Sequence, residues 1–206
     1  MEKDMKHAIL DLLAKLKTID YIRPESIPNI DLYMDQITSF MDTQLADSKR
    51  HDDDKLLTKT MINNYTKNDL LPPPNKKKYS KEHLLTLILI YYLKNILSIS
   101  DIQTVLNPIT DKYFGSEGDH NMEDIYAEIF RMEEEESTKL LKEFSKKYGI
   151  AKDTFKDFPE DDQEQLQTFS LICLLSFDIY MKKRLIEKIV DDVIADDTSK
   201  KKDQPS

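Results

Sequence analysis

Glycine is nearly missing from this sequence, occurring only as Gly115, Gly118 and Gly149 in 206 residues. Phosphate cradles of the P-loop and dinucleotide types are built from clustered glycines, so the commonest nucleotide-using enzymes are excluded. Tryptophan is absent, and cysteine occurs once, as Cys173 inside the apolar run 169–177. A lone cysteine has no disulfide partner within the chain, which points to a reducing compartment, and apolar surroundings keep a thiol protonated and inert. Long hydrophobic runs are also lacking: the longest, 84–93 and 169–181, fall well short of the roughly 20 residues that span a bilayer. The segment 1–6 carries four charged residues, with no signal or transit peptide pattern. A cytoplasmic protein with no membrane partner is expected.

What is present is 39% hydrophobic and 33% charged residues, enough for one or two small domains with real cores. The apolar spacing is helical almost throughout, so the expected class is all-α with no credible β-strand. Ile9, Leu12, Leu13 and Leu16 mark an amphipathic first helix over residues 1–18, followed by an extended connector containing Pro24 and Pro28. A helix capped by Asp31 is expected to turn Tyr33, Ile37, Phe40 and Met41 inward. Another starts at Thr58 and buries Leu57, Met61, Ile62 and Tyr65. Ser80 caps a strongly apolar helix through residue 97, and Ser100 with Gln103 has capping-box spacing for a helix ending before Pro108. Further on, helical spacing runs through Met122, Tyr126 and Phe144 to a C-cap at Gly149. The last long helix reads as buried over 169–181 and half exposed towards Val193, ahead of a disordered tail.

The net charge of −9 argues against a polyanionic partner, but the charge is segregated. Residues 55–94 carry eight lysines against Asp69 and Glu82, a net +6 that leaves −15 on the rest. Within that stretch Thr60, Asn63, Asn64 and Lys67 are spaced i, i+3, i+4, i+7, so they share the polar face of the short helix 58–68. Asparagine can pair bidentately with adenine, and lysines such as Lys59 and Lys67 neutralise phosphates. Lys76, Lys77 and Lys78 then sit on a proline-stiffened loop, 72–79, followed by Tyr79, whose ring could lie along a phosphate backbone beside them.

The order of these features, from the polar-faced helix through Leu70-Leu71-Pro72 and the lysine loop to Lys78-Tyr79-Ser80-Lys81-Glu82 and Ser98-Ile99-Ser100-Asp101-Ile102, resembles MerR-type winged helix-turn-helix regulators over residues 56–107. The resemblance implies a recognition helix at 58–68 and a basic wing at 72–79. Asn63, Asn64 and Tyr65 stand where that family carries an arginine and two tyrosines, so its base specificity does not transfer. The strings Ile27-Pro-Asn-Ile-Asp-Leu-Tyr-Met-Asp-Gln, Leu57-Thr-Lys-Thr-Met-Ile-Asn-Asn-Tyr-Thr-Lys and Leu71-Pro-Pro-Pro-Asn-Lys-Lys-Lys-Tyr also resemble a bacterial domain-of-unknown-function family, number eighteen thirty-six, which has no assigned activity.

The expected organisation is an N-terminal helix and connector (1–30), a MerR-like winged helix-turn-helix domain (31–108), a helical bundle for dimerisation or sensing (109–196) and a tail (197–206). The expected function is a DNA-binding transcriptional regulator acting on double-stranded DNA as a homodimer, with an effector of unknown identity. The alternative is a helical adaptor that docks an acidic protein on the basic loop. No catalytic residue, metal site or cofactor is expected, so the chain reads as a non-enzyme. His51 beside Asp52, Asp53 and Asp54 reads as a solvated loop, and His120 among Asp119, Glu123 and Asp124 as helix-start chemistry. His83 reads as a surface or rim residue.

Overall fold

Polar side chains one residue ahead of a helix set much of the architecture. In the computed structural model, which describes residues 22–195, Thr58 Oγ1 accepts from the Met61 N–H at 3.2 Å and opens α2 (Lys59–Lys67). Ser80 opens α3 (Lys81–Leu93), and its reciprocal partner is His83, whose Nδ1 accepts from the Ser80 N–H at 2.9 Å. Ser98 opens α4 (Ile99–Tyr113): its hydroxyl accepts from the Asp101 N–H at 3.2 Å, and Asp101 Oδ2 accepts from the Ser98 N–H at 3.2 Å. The cap of this helix is thus two residues earlier than expected. α3 stops at Leu93, and Leu97 is buried in the turn that follows.

α4 also runs through Pro108, where a stop was expected. An internal proline costs a helix about 3 kcal/mol, and burial of Ile102 and Leu106 before it and of Thr110 after it holds the helix together. The helix expected to be capped by Asp31, α1 (Met34–Gln44), starts later, because Leu32–Tyr33 forms a short strand, β1, paired antiparallel with β2 (Lys78–Tyr79). Two-residue strands carry too little alternation to be read from sequence.

Contacts divide the chain into two units. One holds residues 22–131 and 187–195. Its centre is α3, in which His83 through Tyr91 are all buried, around which Ile37, Met41, Ile62, Leu70, Leu71 and Ile102 close the core. Lys81 Nζ meets Glu123 at 2.6 Å, and the Tyr126 hydroxyl donates to the Ile22 carbonyl. The π-helical turn Val190–Ala195 packs on α4.

The other unit, described over residues 132–186, is a helical hairpin. α5 (Met122–Lys152) enters it and runs through Gly149, so that glycine is not a cap. The chain reverses over 153–159, where Phe155 takes φ 57° and Gln163 Nε2 donates to the carbonyls of Lys156 and Phe158 at 3.1 and 2.7 Å. α6 (Glu160–Ile189) returns, and Lys147 bridges to Asp178 at 2.9 Å. α6 does not follow the expected order of buried then exposed. Leu171 is buried, but Phe169, Phe177, Tyr180 and the Cys173 thiol on its outer side are exposed, so the thiol is not shielded by a core. The expected boundary at 108/109 coincides with neither unit. Among the described residues no helix is long and apolar enough to cross a membrane. The amphipathic segment 1–18 and the tail lie outside the described residues.

Candidate nucleic-acid interface

The lysine loop is a tight hairpin. The Asn75 N–H donates to the Lys78 carbonyl at 3.0 Å and the Lys78 N–H donates back to the Asn75 carbonyl at 2.9 Å. Between them Lys76 and Lys77 take φ 49° and 66°. Two consecutive positive φ values define a type I′ turn, which suits the twist of antiparallel strands and normally calls for Asn-Gly. A left-handed conformation costs a residue with a Cβ roughly 1–2 kcal/mol, so the hairpin holds two exposed lysines at its tip at an energetic cost. Backbone strain of this kind gathers at functional sites. Pro72, Pro73 and Pro74 stiffen the approach, and β1 anchors the base through the registers Leu32 opposite Tyr79 and Tyr33 opposite Lys78.

α2 presents the other candidate surface. Ile62 and Tyr65 face the core, while Lys59, Thr60, Asn63, Asn64 and Lys67 are all exposed, as their spacing implies. The helix ends in a Schellman motif. Asp69 sits at φ 54°, the Leu70 N–H donates to the Tyr65 carbonyl at 2.9 Å, and the Asp69 N–H donates to Thr66 at 3.3 Å. Leu70 and Leu71 are then buried, which fixes where the prolines and the hairpin leave the core. Gln103 of α4 donates to the Asn68 carbonyl and ties that exit down.

The lysines are not equivalent. Lys81 is paired with Glu123, and Lys94 donates to the Leu56 carbonyl at 2.6 Å over the Tyr91 ring, with burial pushing its pKa below the ordinary lysine value. Lys59 pairs with Asp35, and Lys78 lies 5.6 Å above the exposed Tyr33 ring. Lys67, Lys76 and Lys77 are exposed and make no ion pair among the described residues. Lys55 is also exposed but lies in an acidic concavity, so the cations best placed to meet a phosphate backbone flank the C-terminal end of α2 and the hairpin tip. Beside the N-terminal end of α2 lies an open concavity lined by Asp35, Asp42, Asp52, Asp53 and Asp54 against Lys49, Lys55 and Lys59, a surface that repels phosphate.

Three expected placements are corrected. Tyr79 does not lie along the hairpin surface; it is 4% exposed, because strand β2 turns it inward, where its ring meets His83 edge-on at 5.3 Å. Tyr33, expected in the core, is the exposed aromatic ring instead. His83 is buried rather than on the rim, with Phe114 packed edge-on at 4.7 Å. Its Nδ1 accepts from Ser80, which leaves the ring proton on Nε2, 3.4 Å from the Pro73 carbonyl. Burial pushes its pKa below the ordinary value, outweighing the bond to Pro73. His83 thus links the start of α3 to the base of the hairpin, a role that the Ser80-x-x-His83 spacing hinted at.

His51 and His120 sit among structural contacts. Asp54 beside His51 accepts the Arg50 and His51 N–H groups at 3.0 Å, and Asn121 beside His120 accepts from Glu123 at 2.8 Å as an N-cap.

A family model matches residues 22–129, more than half of the chain. The chain belongs to that family, Domain of unknown function (DUF1836). No curated protein and no solved structure matches it. The DUF1836 span takes in β1, α1, α2, the lysine hairpin, α3 and α4 and ends within α5. The hairpin and the polar face of α2 are therefore part of the DUF1836 domain itself, while the outer face of α6 lies beyond it.

Proposed function

We propose that the DUF1836 domain binds double-stranded DNA as a winged helix-turn-helix module of MerR-like type and acts as a cytoplasmic regulator of transcription. The observation that carries this reading is the type I′ hairpin, which holds Lys76 and Lys77 at its tip in a conformation that only glycine takes freely. A strand ahead of α1 that pairs with the base of the hairpin, and a short helix with an exposed Thr60, Asn63, Asn64 and Lys67 face, supply the other two parts of such a module. Lys67, Lys76 and Lys77 hold phosphates, with Lys59 and Lys78 in support, and Thr60, Asn63 and Asn64 face base edges.

The test is binding of the purified protein to fluorescent genomic duplexes at low salt, with an Asn63→Ala/Asn64→Ala variant alongside. The wild type prefers some fragments over others. The variant keeps its average affinity but loses about 10-fold or more of the discrimination, because a bidentate asparagine–adenine pair is worth about 1–3 kcal/mol. If no duplex binds at low salt, the reading fails and the hairpin becomes a docking patch for an acidic protein.

A further inference from the structure

α6 is apolar on two opposite sides, and the described structure covers only one. On the inner side Leu171 is buried, and Asp178 is held by Lys147 of α5. On the outer side Phe169, Ile172, Cys173, Ser176, Phe177 and Tyr180 follow spacings of 3, 1, 3, 1 and 3, which places them in one stripe. Phe169 and Phe177 are 60% and 65% exposed, Ile172 and Tyr180 56% and 57%, and no charged residue occurs from Gln165 to Phe177.

We infer that this stripe is a homodimer interface in which two copies of α6 pack antiparallel about a two-fold axis near Cys173. The size fits. Four large side chains exposed to this degree present roughly 400–500 Å² of contiguous apolar surface, which suits the core of an interface that buries about 800 Å² per partner. The charges fit a second copy as well. Asp162 continues the stripe at the acidic start of α6, and Lys183 and Arg184 continue it at the basic end. Antiparallel pairing centred on Cys173 sets residue 162 opposite 184, and Phe169 opposite Phe177 of the other copy. An isologous interface forms each of these contacts twice. The inference is independent of DNA binding, since the stripe lies outside the DUF1836 span.

The experiment is sedimentation of the full chain across a concentration series, with the helical signal of every variant checked first. The wild type should sediment at twice the 24.2 kDa chain mass. Phe177→Glu, a change on an exposed position, should raise the dimer dissociation constant at least about 100-fold, because the residue is lost from both halves of the interface. Asp162→Lys should weaken the dimer, and adding Arg184→Glu should restore it. Cys173 is the only cysteine, so a short bis-maleimide should cross-link the wild type into a covalent dimer through that thiol alone. A monomer at all concentrations, as would follow if another segment or a different protein covers the stripe, overturns the inference. So does a dimer that survives Phe177→Glu. A dimer with neither Cys173 cross-linking nor charge-swap rescue overturns the antiparallel arrangement.

Discussion

Replacing Ile88 with alanine should destabilise the DUF1836 domain by about 2–5 kcal/mol, the range for deleting a fully buried aliphatic side chain and leaving a cavity. α3 has no exposed face to absorb such a loss. Leu84, Leu87, Ile88 and Ile90 are all 0% exposed, and the one polar side chain in this run, Thr86, turns its hydroxyl back onto the Glu82 carbonyl at 2.8 Å. Domains are marginally stable, so this is a large fraction of the total. Because the chain has two units, the measurement should be local: amide exchange in peptides from α3 should quicken on the order of 100-fold, while peptides from residues 160–180 change little. Phe169→Ala, by contrast, removes a larger side chain from an exposed position and should leave α3 exchange unchanged.

His83→Ala should cost about 2–3 kcal/mol, combining a lost helix-cap partner with two lost edge-on aromatic contacts. His83→Gln tests the chemistry more finely, since glutamine is the usual reciprocal residue at this capping position and can accept from the Ser80 N–H. Its effect is on pH dependence. The folded-state pKa of His83 lies below the unfolded value of about 6.5, so the unfolded chain binds the proton more readily. The neutral imidazole contributes its full stability above about pH 6.5, and that stability is lost as the pH falls through 6.5 towards the folded-state pKa. Urea unfolding of the two proteins from pH 8 to pH 5 should therefore show the wild type losing stability faster than His83→Gln. Parallel curves would mean that His83 stays neutral in both states or that its burial has no energetic consequence.

Two of the helix starts were readable in advance from one capping side chain each. Thr58 and Ser80 cap the helices they were expected to cap, and the polar face of α2 faces solvent because Ile62 and Tyr65 must not. Sequence reading ran out where the deciding interaction is tertiary. Nothing local marks Leu32 and Tyr33 as a strand, since the pairing that makes them one comes from residues 78 and 79. That same pairing turns Tyr79 inward and Tyr33 outward, which reverses the expected choice of surface ring. Pro108 was expected to end a helix, but packing on both sides carries the helix past it. Along α6 an apolar run cannot distinguish a helix buried all round from one buried on a single side and exposed on the other. The type I′ turn was hidden for another reason: its two positions carry lysines rather than the Asn-Gly that would announce it.

That mismatch also supplies the most direct test of DNA binding through the hairpin. Lys76→Gly/Lys77→Gly removes both tip charges and at the same time relieves the left-handed strain, so the variant should fold at least as stably as the wild type. Affinity for one preferred duplex should be measured for both proteins from about 50 to 200 mM salt. The account predicts that the variant binds more weakly and that the slope of log affinity against log salt becomes shallower by about 2, one phosphate contact per lysine. Equal slopes for the two proteins would contradict it, because the hairpin would then touch no DNA.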